Sequence, residues 1–514
     1  MRGVCSVLHC RSAIVVLILS SAGVLHGAAA QAQAPVVETW PQFRGPGGTG
    51  VAPEDTAPPA EFGPDTSLLW KTALPAGHSS PAIWGDRIFL TAFDPSRKTL
   101  EVIGLNRTTG AILWRRDVLA EQTEQVHQLN SPATATPAVD GEQVYAYFGS
   151  FGVVAYDMDG GLRWSVPMPL VQVPFGSGTS PVVAGNLVIV NRHEPKDPFL
   201  VALDRKTGAV VWKQKHEIPK GLPIAFGSHS TPLIVDRQIV VHGPTTLAAF
   251  DIATGERVWW VAVSSSASST PTAAGDTIYA ATWSPFGEAD QRLVLGDFAS
   301  VAKDHDKDAN GLLSRDELPP DLAIARRPDT PDVPSATITV RSVFGRFDTN
   351  KDGGVDAAEW EAGRQVVAKL TVEHGLLAVK TGGSGDVTST HVRWREKSSI
   401  PEVPSPLVYR ERVYMVRNGG ILTCLDAANG TVLYRARVGA PGPYYSSPVV
   451  AGGKLFLASG EGIVTVLGTG AMLEVIAKND LSEPVLATPA VSSGVLYVRT
   501  ASALSAFGRR SSPE

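Results

Sequence analysis

The sequence predicts a mainly β fold: an eight-bladed β-propeller of four-stranded blades, closed by an N-terminal strand, with a small α-helical pair of loops inserted in blade five. Three observations carry this. A Ser/Thr-Pro pair leading into a short apolar run recurs eight times. Inside the same unit, an Asp or Asn starts a turn, a Gly ends it and an aromatic follows. One long gap in the repeat holds two acidic twelve-residue loops.

The chain of 514 residues begins with Arg2 and Arg11 around an apolar stretch from Ala13 to Leu25, followed by Ala28, Ala30 and Ala32. That is the pattern of a cleaved signal peptide over residues 1–32, with cleavage after Ala30 or Ala32. The mature chain is therefore expected in the periplasm or outside the cell. Loss of Arg2 and Arg11 takes the basic count from 45 to 43 against 50 acidic residues, a net charge of −7. An acidic balance argues against nucleic acid as a partner. No later stretch is long and apolar enough to cross a bilayer as a helix. Cys5 and Cys10 leave with the signal, so Cys424 stands alone, without a disulfide partner and inside an apolar strand. Residues 33–66 follow as an N-terminal strap. Its Gly- and Pro-rich part, Trp40 to Gly50, is expected to cross the outside of the ring.

The repeat begins at Ser80-Pro81 and returns at Thr136-Pro137, Ser180-Pro181, Thr231-Pro232 and Thr270-Pro271, then at Ser405-Pro406, Ser447-Pro448 and Thr488-Pro489. Most spacings are those of a propeller blade. The turn signature reads Asn106, Gly110, Trp114; Asp204, Gly208, Trp212; Asp251, Gly255, Trp259; and Asp426, Gly430, Tyr434. A tighter version is Asp157, Gly160, Trp164. Asp or Asn bonds its own turn backbone, and Gly takes the positive φ a hairpin needs. The aromatic lands on the next strand, placed to pack between neighbouring sheets. Leu68, Leu69 and Trp70 resemble a last blade strand, yet they precede the first Ser-Pro. The final unit ends at Ala506 and Phe507 without one, so the N-terminal strand completes blade eight. The propeller is thus divided into residues 67–283 and 374–508, with a tail at 509–514.

Residues 284–373 break the pattern. The first loop runs Asp306, Asp308, Asn310, Gly311, Leu312, Ser314 and Glu317; the second runs Asp348, Asn350, Asp352, Gly353, Gly354, Asp356 and Glu359. Both match the EF-hand spacing. Calcium is a hard cation that takes six to eight oxygens. Carboxylates and amides at positions one, three and five converge, position seven (Leu312, Gly354) offers a carbonyl, and the last Glu closes the shell. Two Ca²⁺ sites are expected, with a mainly structural role. Leu313 and Val355 should pair across the loops. Phe344 and Phe347 sit three apart on the expected entering helix of loop two, and Trp360 and Val366 follow on its exit helix. Pro319 and Pro320 cut short the exit helix of loop one.

Trp40-Pro41-Gln42-Phe43-Arg44-Gly45-Pro46, the Ser/Thr-Pro starts and the Asp-x-x-Thr-Gly…Trp turns resemble PQQ-binding-like β-propeller repeat proteins. The resemblance covers nearly the whole mature chain outside the insertion. It implies a fold related to quinoprotein alcohol dehydrogenases and to the outer-membrane assembly lipoprotein propeller. The dehydrogenases of that superfamily carry a vicinal cysteine pair that Cys424 alone cannot supply, and there is no C-x-x-C-H haem motif. PQQ is therefore not expected as a cofactor. No Cys follows the signal, so no lipid anchor is expected. His78 and His229 each lie just before a Ser/Thr-Pro start, in loops that face a central channel in this fold. No catalytic residue is assigned. The reading is a calcium-binding, exported scaffold propeller whose partner is another envelope or secreted protein, or a small ligand on its face. The alternative is a PQQ-dependent oxidoreductase.

Overall fold

The computed structural model describes residues 38–194, 196–217, 227–284, 287–288, 295–326, 337–369 and 373–509. The signal segment 1–32, the first residues of the strap and the end of the tail lie outside the described residues.

Eight four-stranded antiparallel blades follow one another along the chain, and Gly385–Asp386 adds a short parallel strand to the outer edge of blade four. Blade one is typical: Ala82–Trp84, Arg87–Asp94, Thr99–Asn106 and Ile112–Val118, paired in that order from the hub outward. The second and third strands are nearly all buried, because both sheet faces are covered by neighbours. The fourth strand alternates and meets solvent. Each blade hands an apolar surface to the next. Trp114 illustrates the join: its Nε1 donates to the Met158 carbonyl of the blade-two turn at 3.0 Å. Trp164 does the same to Arg205, Trp212 to Ile252, Trp394 to Ala427 and Trp70 to Arg107. The receiving turn is held by its Asp: Asp204 Oδ1 accepts from Lys206 N and Thr207 N. These Trp side chains are inter-blade packing.

Leu68–Ala73 pairs antiparallel with Ala503–Phe507 and supplies the fourth strand of blade eight. Because the last blade takes its outer strand from the start of the described chain, the two ends of the ring are tied together, and only short strand edges remain at the hub and rim.

The strap is the main departure. Thr39–Trp40 pairs with Ile83 and Trp84 on the innermost strand of blade one. Val139 N of blade two donates to Pro41 O at 2.8 Å. Pro46–Gly48 lies against the inner strand of blade four, Arg44 Nη2 donates to Pro406 O at 2.6 Å, and Val51 bridges Val450 of blade seven. Residues 39–52 therefore plug the hub and do not strap the outside. The inner strands have unpaired edges at the axis, and this segment satisfies several of them. Gly50 allows the closest approach: at φ +77°, a Cβ would stand 2.9 Å from the Pro448 carbonyl. The chain then leaves the hub, and Phe62 packs on Phe507 with ring centroids 4.8 Å apart.

Blade five is Thr272–Ala274, Thr277–Thr282, Gly375–Lys380 and Val392–Glu396, so the chain leaves after its second strand and returns as its third. Between them lie α1 (Phe298–His305), α2 (Phe344–Phe347) and α3 (Ala357–Lys369). Asp297 caps α1 by accepting from Ser300 N at 2.8 Å. A two-residue ladder joins Leu313 to Val355, and a second joins Ala323–Arg326 to Thr337–Thr339. Leu313, Leu318, Ile324, Phe347, Val355 and Trp360 form a core separate from those of the blades. Trp360 and Val366 both lie on α3 as expected; Val366 is exposed, and Val367, one position on, turns toward this core.

Candidate functional site

A proline at the start of each inner strand fixes φ and removes one N–H, so the residue before it stands at the hub without a ladder partner. Its own N–H needs an acceptor, and the next blade supplies one. Ser80 N donates to Thr136 Oγ1, Thr136 N to Ser180 Oγ and Ser180 N to Thr231 Oγ1, at 2.9, 3.0 and 3.1 Å. Thr231 to Thr270, Thr270 to Ser405, Ser405 to Ser447 and Ser447 to Thr488 continue the chain, each at 3.0 Å. The repeat's Ser/Thr is thus a belt of hydroxyls linking blade to blade around the axis.

The belt surrounds a cavity of about 520 Å³, and all eight of these residues line it. Residues two apart in an extended segment share a face. The position two before each belt residue lines the same cavity: His78, Thr134, Gly178, His229, Ser268, Val403, Tyr445 and Leu486. The first ring is constant in chemistry and the second varies. Phe43 of the plug, Trp283 at the exit to the insertion, Thr337 and Ile338 of the insertion, His127 and Glu402 are among the other residues of the wall.

His78 and His229 both reach this cavity, as their loops predicted. Burial, aided by the Arg499 charge, pushes the His78 imidazole down to about 4. Burial also lowers His229, against the opposing bond of its Nε2 to the Gly176 carbonyl at 3.0 Å. Both rings are neutral at pH 7. The second ring as a whole therefore carries no charge. Tyr445 is legible from the period-two offset before the Ser/Thr-Pro start, whereas Trp283 and Glu402 carry no repeat signal.

In the insertion, carboxylate oxygens of Asp306, Asp308 and Glu317 lie within 4.8 Å of one another. Lys307 N and Ser314 N donate to the two oxygens of Glu317 at 3.0 and 2.9 Å, and the Ser314 hydroxyl at 2.7 Å. The Ser314 hydroxyl bond above all holds the Glu317 carboxyl down at about 2. Asn310 turns its Oδ1 to Leu312 N. In loop two, burial favours protonation of Glu359, but bonds from Asn350 N, Asp356 N and Thr349 outweigh it and lower its pKa. Gly354 N donates to Asp352 Oδ1, and Asp356 Oδ1 accepts from Glu359 N. Gly311 and Gly353 take φ +82° and +93° at the sharp bend. Asp348 is buried, and its Oδ1 has no hydrogen-bond donor. An ionised oxygen buried without a donor is costly, and a cation relieves that cost. The donor set, all oxygen, fits Ca²⁺.

The family model described as outer membrane protein assembly factor BamB matches residues 62–194, 196–311, 347–473 and 420–509. A polyvinylalcohol dehydrogenase from a Pseudomonas species is 29% identical over 168 residues. That match covers 29% of this chain and spans only 25% of the length of the relative. Among solved structures, the computationally designed Ika8 protein superposes with a TM-score of 0.51 at 9% identity, covering 86% of this chain and 99% of its own. BamB from Moraxella catarrhalis gives 0.48 at 14% identity, covering 87% and 99%. The quinohemoprotein alcohol dehydrogenase from Comamonas testosteroni gives 0.49 at 11%, covering 93% and 82%. At such identities the structural likeness is one of fold.

Proposed function

The chain belongs to the PQQ-like β-propeller repeat family whose model carries the BamB description, and from that premise we propose that it is an exported binding propeller with its ligand site in the hub cavity and calcium in its inserted loops. A propeller fold does not by itself name a function, so the reading rests on the site. One observation carries it: the two rings around the cavity consist of hydroxyls, neutral imidazoles and apolar or aromatic groups. Such a lining, to which Glu402 adds an acidic group, favours a neutral ligand bearing hydroxyls or carbonyls over a carboxylate, bound against Trp283 and Tyr445. The volume suits a small molecule or a short stretch of a polymer chain. Calcium would be held by Asp306, Asp308, Asn310, Leu312, Ser314 and Glu317, and by Asp348, Asn350, Asp352, Gly354, Asp356 and Glu359. It would supply charge neutralisation and stiffen the insertion.

The second reading is a quinone-dependent alcohol oxidoreductase. The partial match to a polyvinylalcohol dehydrogenase favours it, and a neutral polyol fits the same cavity. PQQ itself is a planar tricarboxylate. Among the described residues, no Lys or Arg lines the cavity, and Cys424 is buried in blade six. These residues do not match that cofactor.

Equilibrium dialysis against a panel of neutral polyols and matched carboxylates tests the reading, alongside a dye-linked alcohol assay with added PQQ. Preferential binding of neutral members, lost in Tyr445→Ala, is expected. Tighter binding of the carboxylates would refute the site assignment. PQQ-dependent dye reduction would establish the second reading in its place.

A further inference from the structure

The hub cavity and the calcium loops are joined by a short stretch of chain. Thr337 and Ile338 line the cavity, although they belong to the insertion. They lie in the ladder Ala323–Arg326 with Thr337–Thr339, in which Ile338 pairs with Ala325. One arm of this ladder follows Glu317, the last ligand position of loop one. The other arm runs through α2 directly into Asp348, the first ligand position of loop two. Arg341 fastens the second arm to the first loop: its Nη2 donates to the carbonyls of Asp316 and Leu318 at 2.9 and 2.7 Å. Val340 N donates to Leu322 O at 2.9 Å. Ile338 also packs against the core that contains Leu313 and Val355, the pair joining the two loops.

We propose that calcium controls access to the hub cavity by fixing the ladder segment Thr337–Thr339 against its wall. This rests on the reading of the loops as calcium sites. In loop one, three carboxylates within 4.8 Å repel one another without a cation. In loop two, the buried Asp348 Oδ1 lacks a donor. Metal removal therefore drives both loops open, and the two-residue ladder between Leu313 and Val355 is too short to hold them together alone. With the loops apart, Glu317 and Asp348 no longer anchor the two arms. Thr337 and Ile338 then leave the cavity wall, and the cavity opens to solvent. With calcium bound, the arms are pinned from both ends and the wall is complete.

The test is thiol labelling of Ile338→Cys in the full exported chain, with a maleimide, in calcium and after chelation. Cys424 is buried and sets the baseline. Calcium should slow labelling at least about fivefold, the lower end of ordinary coupling between sites. The effect should vanish when Glu317→Gln and Glu359→Gln are added. Hydrogen exchange at residues 337–340 of the unsubstituted chain, with and without calcium, replaces the labelling should Ile338→Cys not fold. Calorimetry on the same protein separates two ways of failing. Calcium binding with equal or faster labelling overturns the coupling while leaving the sites intact. No heat on adding millimolar calcium overturns the sites, and the coupling with them.

Discussion

His242 lies in blade four with no solvent exposure; one ring nitrogen meets the Ser269 carbonyl at 2.9 Å and the other has no partner. Burial pushes its pKa from 6.5 down to about 4. Between those two values the unfolded chain binds the extra proton and the folded chain does not, so stability falls as pH drops through that window. The single site contributes roughly 3 kcal/mol across it. His193, pushed down to about 4 by burial and the His242 charge, acts in the same sense. Urea midpoints taken from pH 7 to 4.5 should decline steeply, and His242→Gln should flatten the decline; a variant with the wild-type slope contradicts this. The proposed calcium loops make a second prediction at this scale. Loop two offers Asp348, Asp352, Asp356 and Glu359, against three carboxylates in loop one, and should bind more tightly. Titration calorimetry should show Glu359→Gln removing the tighter phase and Glu317→Gln the weaker one; the reverse order refutes the ranking.

Each Trp join is an element that crosses from one blade to the next, and its loss leaves both a cavity and an unpaired carbonyl. Trp164→Ala should cost about 3–5 kcal/mol, the range for buried aromatic truncation. A cost below about 1 kcal/mol on chemical denaturation would show that the strand ladders alone hold neighbouring blades. The plug is the other element at issue. Gly50→Ala places a Cβ 2.9 Å from the Pro448 carbonyl at a positive φ, and should destabilise by about 1–3 kcal/mol; an unchanged melting temperature would mean residues 39–52 can leave the hub freely. These two elements differ in how far the sequence revealed them. The Asp…Gly…Trp turns and Ser/Thr-Pro starts are local patterns repeated many times, so their geometry could be read from spacing. The path of Trp40 to Gly50 depends on partners hundreds of residues away, such as Pro406 and Val450. Nothing in a Gly/Pro-rich run distinguishes an outer strap from an inner plug. The cavity's second ring lay between these cases: its period-two offset is local, but only the closed ring shows that eight such positions meet.

At the scale of the molecule, the ring is fastened from two directions. Leu68–Ala73 closes it at the rim side of blade eight, while residues 39–52 tie the inner edges at the hub. The belt of hydroxyls then fixes neighbouring inner strands to one another around the cavity. The insertion has its own core and hangs from blade five by two crossings, yet it returns Thr337 and Ile338 to the cavity wall. The proposed coupling makes the hub cavity and the inserted loops parts of one device. Hydrogen exchange on the metal-stripped full chain, followed by mass spectrometry with and without calcium, addresses that claim most directly. Calcium should slow exchange in 306–317 and 348–359, and with it in 337–340, while the outer blade strands keep their rates. Protection confined to the two loops, with 337–340 exchanging equally in both conditions, would contradict it.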